Sequence, residues 1–83
     1  MNKLEIFKKK LVYRSNYRGT KEMDILLSNF VKKNIDNFDE KQLNALSNFL
    51  DLEDNVILNY YNHGIVEENI DQNIIAKIFK NFP

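Results

Sequence analysis

The sequence predicts an all-α protein, a compact bundle of about five short helices. Three observations lead there. Apolar residues recur at helical spacing, and no stretch alternates for long as a strand would. Cap-forming residues and suitably signed charges sit at the ends of the periodic segments. The two glycines, Gly19 and Gly64, fall between such segments, where a glycine costs least.

Leu4, Phe7, Leu11 and Tyr13 mark the apolar side of a first helix over roughly 3–16. Its other face carries Lys3, Lys8, Lys9, Lys10 and Arg14. Gly19 breaks the pattern, and Thr20 caps a second helix over roughly 20–34. Glu22 in its first turn and Lys32 and Lys33 in its last suit the helix dipole. Met23, Leu26, Leu27, Phe30 and Val31 form its buried stripe. Asp39 with Gln42 reads as a capping box opening a third helix over roughly 40–50, buried through Leu43, Leu46, Phe49 and Leu50. Asp54 is expected to cap a short fourth helix that carries Val56, Ile57, Tyr60 and Tyr61 and stops at Gly64. Asn69 or Asp71 is expected to cap a fifth, with Ile70, Ile74, Ile75, Ile78, Phe79 and Phe82. This last helix is assigned a packing role. The many asparagines are read as drift in base composition.

The chain has 83 residues, 43% hydrophobic and 29% charged, which points to a single domain, 1–83, with a core of marginal size. The absence of cysteine excludes disulfides, cysteine zinc sites and a cysteine nucleophile. No apolar run approaches the roughly 20 residues of a membrane span. The N-terminus lacks the apolar core of a signal peptide. The expectation is a soluble protein of the bacterial cytoplasm, with the mitochondrial matrix as the alternative. The net charge of zero conceals a division: residues 1–33 hold nine Lys/Arg and three Asp/Glu, and residues 34–83 hold three and nine. Either the two halves fold against each other, or the basic half faces an acidic protein, nucleic acid or a phosphate-bearing cofactor.

Little in the chain suggests chemistry of its own. One histidine, His63, cannot make a histidine metal site. It reads as a cation-capable side chain near a helix C-terminus, with contact to a partner as the alternative. Two glycines cannot build a phosphate-cradling loop. Asp51, Glu53 and Asp54 read as helix-capping and solvated charges, since a calcium loop needs more oxygen ligands and a central glycine. No catalytic residue and no metal site is assigned, and the chain is not expected to be an enzyme. Lys8, Lys9, Lys10, Arg14, Arg18 and Lys21, with Tyr13 and Tyr17 interleaved, offer a basic aromatic strip. A small nucleic-acid-binding helical domain is therefore the alternative reading.

The stretch Tyr17–Asp24, YRGTKEMD, holds an Arg-Gly-x-x-Glu pattern. It reads as a glycine corner followed by a helix start, or as a small recognition edge flanked by a donor fork and a carboxylate. RGTKEMDILLSNF, with Tyr13-Arg14-Ser15 before it and FDEKQLNALSNFLDLED and ILNYYNHG after it, resembles the FAD assembly factors of succinate dehydrogenase. The similarity runs from about Leu11 to about Gly64. Tyr17 stands where the family commonly has a second arginine, Thr20 where a hydrophobic residue usually follows the glycine, and Tyr60 where tryptophan is usual.

The resemblance implies a helical assembly chaperone that binds the flavoprotein subunit of succinate dehydrogenase and promotes covalent attachment of FAD to it. In bacteria it implies action on the related fumarate reductase too. FAD would belong to the client, and the free factor would be a monomer without stable membrane insertion or nucleic acid. The motif residues carried over are Arg18, Gly19, Glu22 and Asp24. Arg14, Tyr17, Tyr60 and His63 are further candidate partner contacts.

Overall fold

A computed structural model describes residues 2–83. Five α-helices are present: α1 (Lys3–Asn16), α2 (Lys21–Asn34), α3 (Glu40–Leu50), α4 (Asp54–His63) and α5 (Ile74–Lys80). Single 3₁₀ turns at Ile35–Asn37 and Ile70–Gln72 lead out of α2 and into α5. No strand occurs among the described residues, so the all-α expectation holds.

Four of the five helices start where a side chain satisfies orphan N–H groups, α4 being the exception. Asn2 accepts from the Glu5 N–H, and Thr20 Oγ1 accepts from the Met23 N–H. The capping box is present: Asp39 Oδ1 accepts from the Gln42 N–H at 2.8 Å, and Gln42 Oε1 from the Asp39 N–H at 2.9 Å. Two expected caps differ. The residue at the start of α4 is Glu53, and Asp54 lies inside the first turn with its carboxylate turned to another task. α5 is capped by Asn73, because the chain first makes the 3₁₀ turn that buries Ile70.

α1 lies along α2 and touches α3, while α5 packs against α3 and α4. The buried residues form one cluster, with Leu11, Met23, Leu27, Phe30, Leu43, Leu46, Phe49, Ile57, Ile75 and Phe79 fully enclosed. Phe79 is surrounded by rings, with centroids 5.0 Å from Phe30, 5.3 Å from Phe49 and 4.8 Å from Tyr61. The apolar face of α1 differs from its periodicity. Leu4 and Tyr13 are exposed, and the small Ser15 is buried with its hydroxyl donating to the Val12 carbonyl at 2.7 Å. Helix-on-helix approach near the corner favours a small residue there. On α5, Ile74 and Ile78 lie partly exposed, while Ile75, Ala76 and Phe79 face inward.

Gly64 adopts a left-handed φ of 69° and ends α4, as its position predicts.

Asn73 does two jobs. Its Oδ1 accepts from the Ile75 and Ala76 N–H groups at 2.8 and 3.0 Å, and its Nδ2 donates to the Ala45 carbonyl of α3 at 2.9 Å. Asn73→Ala is expected to lower stability by about 1–2 kcal/mol, the usual effect of losing a cap. Asn73→Ser keeps a capping oxygen and loses the bridge to α3, so its urea midpoint should fall between the two. Phe79→Ala should cost about 3–5 kcal/mol, a large part of the total for so small a domain. A thermal melt of Phe79→Ala within two or three degrees of the native chain would contradict this packing.

Candidate functional site

The chain turns from α1 to α2 through Tyr17-Arg18-Gly19-Thr20. Arg18 reaches across this corner to the turn between α3 and α4. Its Nε donates to Asp54 Oδ1 at 2.8 Å, and its two terminal nitrogens donate to the Leu50 and Leu52 carbonyls, each at 2.7 Å. Those carbonyls lie at the C-terminus of α3, where acceptors lack intrahelical partners and a cation is favoured. The second oxygen of Asp54 accepts from the Gly19 N–H at 2.8 Å. The Asp24 carboxylate accepts from the Arg18 N–H and closes the corner from the α2 side. The Arg18 and Asp54 side chains are only 11% and 23% exposed, so water screens this pair little.

Gly19 is required here by space. Its φ is not in the left-handed region. A Cβ added to it would sit 3.0 Å from Asp54 Oδ2, the oxygen that its own N–H holds. Any side chain at this position must push that carboxylate away from the backbone.

Arg14 makes a parallel clasp one turn earlier. It donates to Ser47 Oγ at 2.9 Å, to the Ser47 carbonyl at 3.0 Å and to Asp51 Oδ1 at 2.5 Å. With Lys8–Asp36 at 3.7 Å, three cations of the basic strip pair with acids of the second half of the chain. The two halves thus fold against each other, and Lys9, Lys10 and Lys21 remain as the strip's charges outside these pairs.

The candidate residues therefore separate. Arg18, Gly19 and Asp24 come together in one hydrogen-bonded corner, and Arg14 makes its own clasp beside it. Glu22 is exposed on the first turn of α2 and belongs to no ion pair among the described residues. Tyr17 is 70% exposed and stacks on the 64% exposed Tyr13, ring centroids 4.6 Å apart. Tyr60 is not at the surface as a partner contact would be. Its ring is buried, with Lys80 Nζ 5.2 Å from the centroid and donating to the Tyr60 carbonyl at 3.1 Å. His63 is exposed on the last turn of α4.

Asp51 and Asp54 are the residues that sequence reasoning missed, having been read as caps and solvated charges. Their signal was present: Arg14 and Arg18 lie four apart, Asp51 and Asp54 three apart, and the halves carry opposite charge. Among the described residues no cluster of three or more His, Cys, Asp or Glu could hold a metal ion. No helix among them is long and apolar enough to cross a membrane.

Comparison with known proteins bears on this corner. Curated relatives include the mitochondrial succinate dehydrogenase assembly factor 2-A of Drosophila willistoni, 45% identical over 56 residues, covering 59% of this chain and 36% of that protein. The mitochondrial succinate dehydrogenase assembly factor 2 of Meyerozyma guilliermondii is 45% identical over 47 residues, covering 57% and 35%. The FAD assembly factor SdhE of the bacterium Acetobacter pasteurianus is 38% identical over 47 residues, covering 57% and 43%. The chain thus spans between 35% and 43% of the length of these relatives. No solved structure matches. The family model described as flavinator of succinate dehydrogenase matches residues 9–82, which extends the recognisable region past Gly64 to include α5. With that span matched, the chain belongs to the family of flavinators of succinate dehydrogenase.

Proposed function

We propose that this protein is an assembly factor that binds the flavoprotein subunit of succinate dehydrogenase and promotes covalent attachment of FAD to it. The observation that carries this reading is the family match over residues 9–82, which encloses the whole Arg-Gly-x-x-Glu corner. The names of the relatives support it, as FAD assembly factor and succinate dehydrogenase assembly factor. The related fumarate reductase flavoprotein is a second client of the same chemistry.

The protein acts by position and not by chemistry of its own. FAD belongs to the client, where the flavin and its acceptor side chain must be held in reacting geometry. A factor that binds the client in that geometry raises the effective concentration of the reacting groups. It must prefer the unflavinylated state, since a factor that binds both states equally shifts neither.

The corner divides the work. Arg18, Asp24 and Asp54 set the backbone, and Glu22 supplies a free carboxylate for a charge-assisted hydrogen bond to the client. Tyr17 and Tyr13 add exposed aromatic area beside it, of the kind that anchors interfaces. His63 is a further candidate contact, at the end of α4.

In-gel flavin fluorescence of the client subunit with excess FAD tests the reading. The native chain should speed covalent flavinylation. Glu22→Ala should lose most of that gain, about tenfold or more, while its thermal melt stays within about 0.5 kcal/mol of native, as for an exposed substitution. Equal flavinylation with and without the native chain, on a competent client, would overturn the assignment.

Arg18→Ala is expected to behave differently. It leaves Asp54 and two helix-end carbonyls without their donor, so it should destabilise the fold by about 3 kcal/mol and lose activity through the corner's collapse. Gly19→Ala should show a smaller loss of about 1–2 kcal/mol, as the carboxylate is displaced. Urea titrations of these variants beside the flavinylation assay separate staple from surface.

A further inference from the structure

A groove of about 360 Å³ opens between α2 and α4, immediately beside the exposed carboxylate of the motif. Ile25 and Leu26 form one wall, Leu58 and Tyr61 the other, with Phe82 at one end and Glu22 in the lining. Ile25 is 52% exposed, although it lies on the helix that carries the motif. The opposite wall is firmly set. Tyr61 donates its hydroxyl to the Phe82 carbonyl at 2.6 Å, and the Phe82 ring packs edge-on against Phe30, 5.3 Å between centroids.

Volume and charge indicate the occupant. The space takes roughly one or two large side chains and sits at the small end of the about 300–1,000 Å³ typical of small-molecule sites. Glu22 is the one charged side chain in the lining, beside Asn29 and Asn62, so the groove offers a mainly apolar slot with a carboxylate at its edge and no cationic side chain. The complementary ligand is a bulky apolar side chain with a lysine or arginine next to it. Glu22 belongs both to the motif and to the groove, so a client held by that carboxylate lies over the slot.

We infer that this groove is the docking slot for one segment of the flavoprotein client, a segment that carries a large aliphatic or aromatic side chain adjacent to a cation. This rests on the assembly-factor reading. The apolar side chain enters between Ile25 and Leu58, and the cation meets Glu22. Because the groove is already formed, little ordering opposes binding, and its burial contributes affinity that does not fade with salt. The Glu22 contact is the salt-sensitive part.

The chain has no cysteine, so Ile25→Cys introduces a unique thiol at the mouth of the slot. Leu4→Cys places one on α1, outside the groove and also exposed. Maleimide labelling of each, followed by mass spectrometry of this chain, is measured with and without the purified client subunit. The client should slow labelling at position 25 by about tenfold and leave position 4 within about twofold, as a local footprint requires. Ile25→Ser should weaken client binding by about tenfold, equally at low and high salt, while Glu22→Gln should weaken it mainly at low salt.

If the client binds and is flavinylated but position 25 labels at its free rate, the slot is wrong and the assembly-factor reading stands. If the native chain neither binds the client nor aids flavinylation, both fail together. If labelling at position 25 slows with rising concentration of this chain alone, the occupant is a second copy, and the client slot is overturned.

Discussion

The Asp54 carboxylate holds the corner between α1 and α2 with both of its oxygens. One takes the Arg18 side chain and the other takes the Gly19 backbone. This is a single rigid group bridging two parts of the chain 36 and 35 residues apart in sequence. It fixes where α2 begins relative to the start of α4. The terminal nitrogens of Arg18 each donate to a carbonyl at the end of α3, so every nitrogen of the guanidinium has an acceptor in a site where lacking one would be costly. The direction of α2, and with it the placement of Glu22 and the groove behind it, follows from this grip.

The three ion pairs between the halves differ in worth. Lys8–Asp36 is long and its aspartate almost fully solvated, a pair that contributes little. Arg14–Asp51 is shorter and supported by Ser47. Arg18–Asp54 is the most enclosed and has the most hydrogen bonds. The acidic partners become steadily more enclosed towards the corner, from Asp36 to Asp51 to Asp54, so specificity of packing concentrates there. The charge division of the sequence is thus largely an internal matter, resolved when α1 meets the α3–α4 turn. What it leaves outside these pairs is Lys9, Lys10 and Lys21 with two exposed tyrosines packed against each other.

Several helices were legible because their ends carry local chemistry. Asp39 with Gln42, Thr20 and Gly64 act within a few residues of themselves, so their roles can be read from neighbours. The fold class follows from the spacing of Met23, Leu27, Phe30, Leu43 and Leu46 for the same reason. Residues whose partners are distant in sequence were harder to read. Asp54 resembles a cap by position, and only the approach of Arg18 shows its use. Asn73 looked like one asparagine among many, yet it caps α5 and ties it to α3. Tyr13 has helical spacing suited to the core, but α1 is rotated so that Ser15 is buried and the tyrosine faces water. Rotation of a helix about its axis is decided by packing, and a periodic pattern with few apolar residues leaves it open.

The Arg-Gly-x-x-Glu pattern has a tied end and an exposed end, and helix geometry explains how it has both. Glu22 and Asp24 are two residues apart on α2, which turns their side chains about 200° from each other. Asp24 can therefore bind the Arg18 backbone while Glu22 points away from the corner. Two carboxylates on one turn are sorted into an inner and an outer role without any extra element. The coupling has a consequence for recognition. A client that meets Glu22 meets a side chain whose backbone is already immobilised by the clamp, so less freedom remains to be lost on binding. In a chain of 83 residues with so few helices to hold a surface still, placing Glu22 next to the most enclosed ion pair is a direct way to fix the backbone that carries it.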